Sequence, residues 1–99
     1  MKNRNDLSQV LHGIIDNDNV YFEPPESKKM RYPAIVYGLD NIPSKFADNK
    51  PYKKNHKYKV TYITLNPDST VIDALADICT FERSFVSDGL YHYAYHITY

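Results

Sequence analysis

The chain has 99 residues, and its 12 basic and 12 acidic side chains cancel at neutral pH. That length suits a single domain over residues 1–99, near the lower end of single-core sizes, where packing between subunits adds needed stability. The balance excludes a global field favouring DNA, RNA or an anionic membrane.

The charges are unevenly placed. Lys45, Lys50, Lys53, Lys54, Lys57 and Lys59 oppose only Asp48, whereas Asp68, Asp73, Asp77, Glu82 and Asp88 oppose a lone Arg83. Opposite local charges on a neutral chain suit docking on copies of itself, and equally suit a mixed solvated surface. One cysteine, Cys79, excludes an internal disulfide and fits a reducing compartment. The N-terminal segment has no apolar run of signal-peptide or membrane-span length, so synthesis in the cytoplasm is expected.

In chain order, Leu7, Val10, Leu11, Ile14 and Ile15 recur at helical spacing, predicting an amphipathic helix over 6–16 capped by Asn5 or Asp6. Val20 to Glu23 reads as a short strand stopped by Pro24-Pro25. Pro33 opens an apolar strand over 34–39, expected to be buried on both faces. Ile42 to Asn55, with Pro43, Pro51 and several lysines, reads as a long loop of the kind that is commonly functional. His56 to Leu65 alternates, with Tyr58, Val60 and Tyr62 on one face and Lys57, Lys59 and Thr61 on the other, as a half-buried strand does. Asn66 to Thr70 is a helix-start cluster before Val71, Ile72, Leu75, Ile78 and Cys79, predicting a helix over 69–79. Phe81 to Val86 and Leu90 to Thr98 are two final strands.

The last turn is decided by parity. A three-residue loop with Gly89 in the left-handed region pairs Phe85 with Tyr91 and Phe81 with Tyr95. It gathers Phe81, Phe85, Tyr91, Tyr93 and Tyr95 on one face and Glu82, Ser84, His92 and His96 on the other. A two-residue Asp88-Gly89 loop would pair Phe85 with His92 and scatter the aromatics, so the longer loop is expected. The fold class is α+β: one mostly antiparallel sheet of about five strands, two amphipathic helices on one face, in the order α-β-β-β-α-β-β.

Chemistry is weakly marked. His92 and His96, four apart on a strand, stand ~13 Å apart at ~3.3 Å per residue, too far to share a zinc at ~2 Å from each ligand. His12 and His56 share no ligand spacing with them. Cys79 falls on an apolar helix stripe, where cysteine acts as a small hydrophobe. Ser84, Asp88 and His92 lack a nucleophile elbow or oxyanion loop. No phosphate-cradling glycine loop is present. No catalytic, metal-binding or cofactor-binding residue is assigned, and a non-enzyme is expected. Lys50, Tyr52, Lys53, Lys54, Lys57, Tyr58 and Lys59 interleave cations with rings, which suits phosphate neutralisation and base stacking. The same lysines also suit a solvated strand that resists edge aggregation. Ten tyrosines and no tryptophan, with Tyr91, Tyr93, Tyr95 and Tyr99 on the terminal strand, exceed what a small sheet needs to bury and point to a subunit interface.

The run Val20-Tyr21-Phe22-Glu23-Pro24-Pro25-Glu26-Ser27 followed by Tyr32-Pro33-Ala34-Ile35-Val36-Tyr37 resembles the opening of the small tail terminator proteins of long-tailed bacteriophages, also called tail-completion or head-to-tail joining proteins. The resemblance continues through Phe46 to Tyr52, Tyr58-Lys59-Val60-Thr61, Pro67-Asp68-Ser69, Phe81-Glu82-Arg83 and Asp88-Gly89-Leu90, covering residues 19–92. The Tyr/His strand at the C-terminus departs from the pattern. The resemblance implies an α/β virion protein without a cofactor that forms a ring, typically a hexamer. Such a ring caps the tail tube, stops its polymerisation and presents the head-joining surface. Its partners would be copies of itself, the major tail tube protein and a head-completion or connector protein, with DNA passing through the channel unread and no membrane involved. Lys45, Lys50, Tyr52, Lys53, Lys54, Tyr91, Tyr93 and Tyr95 are the candidate subunit or tube contacts.

Overall fold

The computed structural model describes residues 4–25, 28–41, 46–47, 50–51 and 56–98, with backbone alone at 41, 46–47 and 50–51. Its elements run α1 (Arg4–Ile15), β1 (Val20–Phe22), β2 (Ala34–Asn41), β3 (Phe46–Ala47), β4 (Lys50–Pro51), β5 (Lys57–Thr64), α2 (Thr70–Ile78), β6 (Thr80–Ser87) and β7 (Leu90–Thr98). Among the described residues, five strands form one sheet in the order β1-β2-β5-β7-β6. β1 runs parallel to β2 and every other neighbour is antiparallel. The α+β class expected from the sequence holds, while the order of elements departs from the expected α-β-β-β-α-β-β. The addition is β3–β4, a separate two-stranded ladder inside the stretch read as a loop.

One face of the sheet carries the core. Ile35 and Tyr37 of β2, Tyr58, Val60 and Tyr62 of β5, and Tyr95 and Ile97 of β7 pack there with Leu7, Leu11 and Ile15 of α1 and with Leu75 and Cys79. The fourfold spacing of the α1 leucines and Ile15 places them on one helical stripe. β2 is buried on both sides only at its start. Ala34 and Ile35 are inaccessible, but Leu39 is 43 % exposed, because β1 spans only Val20–Phe22 and leaves the far end of β2 uncovered.

Tyrosine hydroxyls fix α2 on this face. Ser69 caps the helix by accepting from the Val71 N–H at 3.2 Å, and its Oγ also meets the Tyr62 hydroxyl at 2.8 Å. Tyr95 donates to the Ile72 carbonyl at 2.9 Å. Both rings are essentially inaccessible, so their large apolar bodies are buried while the polar tips find partners. Before the cap, the Asn66 side chain accepts from the Asp68 N–H and Thr64 accepts from the Asn66 N–H, each at 3.0 Å, which turns the chain off β5.

The final turn corrects the parity argument. Ser87 pairs with Leu90, so Asp88 and Gly89 form a two-residue loop with φ of 53° and 75°. Both central residues left-handed is the primed geometry that Asp-Gly favours, since its twist matches the flanking strands. Phe85 therefore opposes His92, not Tyr91. A bulge at Glu82, between Phe81 and Arg83, resets the phase and brings Phe81 back opposite Tyr95. The expected one-sided patch is thus split. Phe81, Tyr91, Tyr93 and Tyr95 share the helix face with Ser84, while Phe85 stands on the open face with His92, Glu82 and His96.

The turn makes the stability prediction. Gly89→Ala should lower the unfolding free energy by ~1–2 kcal/mol, the cost of a Cβ in the left-handed region. Asp88→Asn should be neutral or mildly stabilising, and urea denaturation of the two variants checks both signs.

Candidate interaction surface

β6 lies at one edge of the sheet, with β7 its only neighbour among the described strands. All of its residues are exposed, a pattern no other strand of the five-stranded sheet shows. Phe81 is 49 %, Phe85 41 % and Val86 63 % exposed, so large apolar groups meet solvent on both faces. The cause is the position of α2. Hydroxyl bonds from Tyr62 and Tyr95 fix it to β5 and β7, and it leaves the side chains of β6 at the surface. On the outer side of α2, Ile78 is left 41 % exposed.

The exposed rings are held in place. Phe81 sits edge-on to Tyr95, with centroids 5.5 Å apart and planes at 70°. Phe85 stacks on His92 at 4.8 Å and 14°, and the Arg83 guanidinium stands 5.3 Å from its centroid. An exposed aromatic fixed on both flanks loses little freedom when another surface covers it. Glu82 Oε2 stands 3.2 Å from His96 Nδ1, within ion-pair reach of a protonated imidazole but outside hydrogen-bond alignment. Lys57 and Lys59 both reach Asp40, at 3.7 and 3.8 Å, across the open face. These exposed pairs contribute little energy and chiefly order the surface. Between them and β6 runs a shallow groove of about 410 Å³, floored by Thr61 and Ala94 and walled by Lys59, Arg83 and Phe85.

The candidate contacts separate into distinct groups. Lys45, Tyr52, Lys53 and Lys54 lie outside the described residues, and Lys50 is described only as backbone in β4. Tyr91 is at the surface. Tyr93 is half-buried, stacked 6.4 Å from Tyr62, with its hydroxyl 3.5 Å from the Pro67 carbonyl. Tyr95 is corrected from a contact to a core residue, 1 % exposed and bonded to α2. Along β5 the interleaved charge and rings also come apart, since Tyr58 is buried on the helix face while Lys57 and Lys59 point the other way. Phe81, Phe85 and Val86 carry the surface that sequence reasoning assigned to tyrosines. Their signal was an edge strand without lysine or proline.

The groups considered for chemistry are likewise dispersed. Burial pushes the Cys79 thiol from its usual value near 9 up to about 11, so it stays protonated and a poor nucleophile at neutral pH. Ser84 opposes Tyr93 on the helix face, whereas His92 lies on the open face. Among the described residues, no three of His, Cys, Asp and Glu come together to hold a metal, and no helix is long and apolar enough to cross a membrane. Comparison with protein-family models, curated proteins and solved structures returns no match.

Burial also pushes the Tyr95 phenol up to about 12, with Cys79, Asp73, Tyr93 and Tyr62 nearby adding to the shift. Both groups hold their protons more tightly folded than unfolded. Their stabilisation is therefore complete below pH about 9 and is lost as pH rises through about 11 and about 12. Urea midpoints of the native chain should fall across that window. Tyr95→Phe should start lower, having lost the bond to Ile72, but decline less steeply. Parallel declines would contradict the assignment.

Proposed function

We propose that this chain is a phage virion assembly protein without enzymatic activity, a subunit of a ring that caps the tail tube, ends its polymerisation and offers the surface to which the head joins. The observation that carries this reading is the β6 edge, a rigid, fully exposed strand with apolar side chains on both faces. Such an edge is suited to association rather than to chemistry. The ordered motifs over residues 19–92 supply the particular assembly, and the neutral net charge suits a protein that lets DNA pass without binding it. In this reading the subunits meet one another and the tube protein through β6 and Tyr91, in place of Tyr95. The protein acts in the virion, beside the major tail tube and head-connector proteins.

Native mass spectrometry and electron microscopy of the chain, alone and with purified tail tubes, test this. Closed rings, or monomers that collect at tube ends and arrest elongation, are expected. A chain that neither assembles nor marks tube ends, and whose removal leaves tail length unchanged, overturns the reading.

A further inference from the structure

From Arg83 to Ser87, β6 follows β7 without a register shift, with Arg83, Phe85 and Ser87 on the open face and Ser84 and Val86 on the helix face. Ser87 and Leu90 flank a two-residue turn and so exchange both backbone hydrogen bonds. Counting back by twos, Phe85 also turns its N–H and C=O towards β7. Ser84 and Val86 therefore aim theirs away from the sheet, and no described strand receives them. These outward groups, not the side chains alone, dictate what fits the edge.

We infer that β6 pairs antiparallel with β6 of a second copy about a two-fold axis through Phe85. In this register Ser84 opposes Val86 of the second copy and the reverse, so the outward N–H and C=O groups meet in complementary pairs. Phe85 opposes itself in a non-hydrogen-bonded pair, where facing Cα atoms come within ~4.5 Å and side chains pack closest. Arg83 opposes Ser87 of the second copy, and beyond them the bulged Glu82 and the turn residue Asp88 lie outside the paired window. Shifting the axis to Ser84 brings the bulged Glu82 into the ladder, and shifting it to Val86 opposes Ser84 to Asp88 in the turn. Only the Phe85-centred register keeps every pair inside regular strand. The occupant is a second copy because in that register the outward backbone groups of β6 meet in complementary pairs and Phe85 packs on its own counterpart. β6 also carries none of the lysines or prolines that block edge pairing. The contact does not rest on the ring reading: a two-fold pair uses the same strand on both copies and closes at two, so a ring would need a second, different contact.

The test measures the oligomeric state of the full-length chain by analytical ultracentrifugation over a concentration series. The native chain should dimerise. Val86→Pro removes an outward N–H in each copy while leaving the β6–β7 ladder intact. It should raise the dissociation constant ~10-fold or more, on the basis of ~1 kcal/mol per lost bond, with the circular dichroism spectrum unchanged. Register is checked by oxidative cross-linking in a Cys79→Ser background. Phe85→Cys should give a covalent dimer, whereas Ser84→Cys, whose copies do not oppose each other, should not. A native chain that stays monomeric, a dimer indifferent to Val86→Pro, or preferential cross-linking through Ser84→Cys overturns the proposal. Monomers that bind extended peptides of another protein along β6 also overturn it.

Discussion

The structure depends on two tyrosine hydroxyls that hold α2 against the sheet. Tyr62 and Tyr95 are the largest side chains buried to within 1 % of full inaccessibility, and each ends on α2, at Ser69 and at the Ile72 carbonyl. A leucine at either site would fill comparable space yet leave those α2 groups without their sheet partner. Net, each such bond contributes ~1 kcal/mol, while a buried donor or acceptor left alone costs ~1–3 kcal/mol. The hydroxyls therefore act less as added stability than as a position lock. Any other seating of the helix leaves polar atoms stranded in the core.

That lock explains the exposed edge. A helix of nine residues covers only the strands beneath it, and α2 is fastened above β5 and β7. β6, the next strand out, keeps every one of its residues exposed. Apolar residues there would lower solubility without benefit if the edge were never covered, since Phe81, Phe85 and Val86 lose no water contact on folding of the single chain to the extent that core residues do. Beside a tight turn and a held aromatic stack, they form the surface that the proposed β6 pairing would bury.

Much of this was legible in the sequence, for definite physical reasons. The Leu7, Leu11 and Ile15 stripe, the Tyr58, Val60, Tyr62 alternation and the Asn66 to Ser69 cap cluster are local signals with one structural solution each. The turn at Asp88-Gly89 was not resolved correctly, because the parity argument allowed no bulge. Setting Phe81 opposite Tyr95 required a three-residue loop only if β6 stayed in phase. Instead the favourable two-residue turn forms, and Glu82, directly beside Phe81, absorbs the phase error. Tyr95 was misplaced for a related reason. Tyrosine richness marks interfaces and polar-tipped cores alike, and the deciding acceptor, the Ile72 carbonyl, lies 23 residues away in the chain.

The bulge also bears on why the edge is specific rather than merely sticky. Long flat edges aggregate because any register will serve, and proteins commonly blunt them with charge, proline or a bulge. β6 has no proline and confines to one end its charges, Glu82 and Arg83, and its bulge at Glu82. Beyond it, Thr80 and Phe81 leave the phase of the remaining strand, and beyond Ser87 the left-handed turn ends it. What lies between is a window from Arg83 to Ser87 short enough to admit one register and too short to propagate. The same bulge that returns Phe81 to Tyr95 therefore limits the edge. Packing of the single chain and selectivity of its outer strand follow from one extra residue.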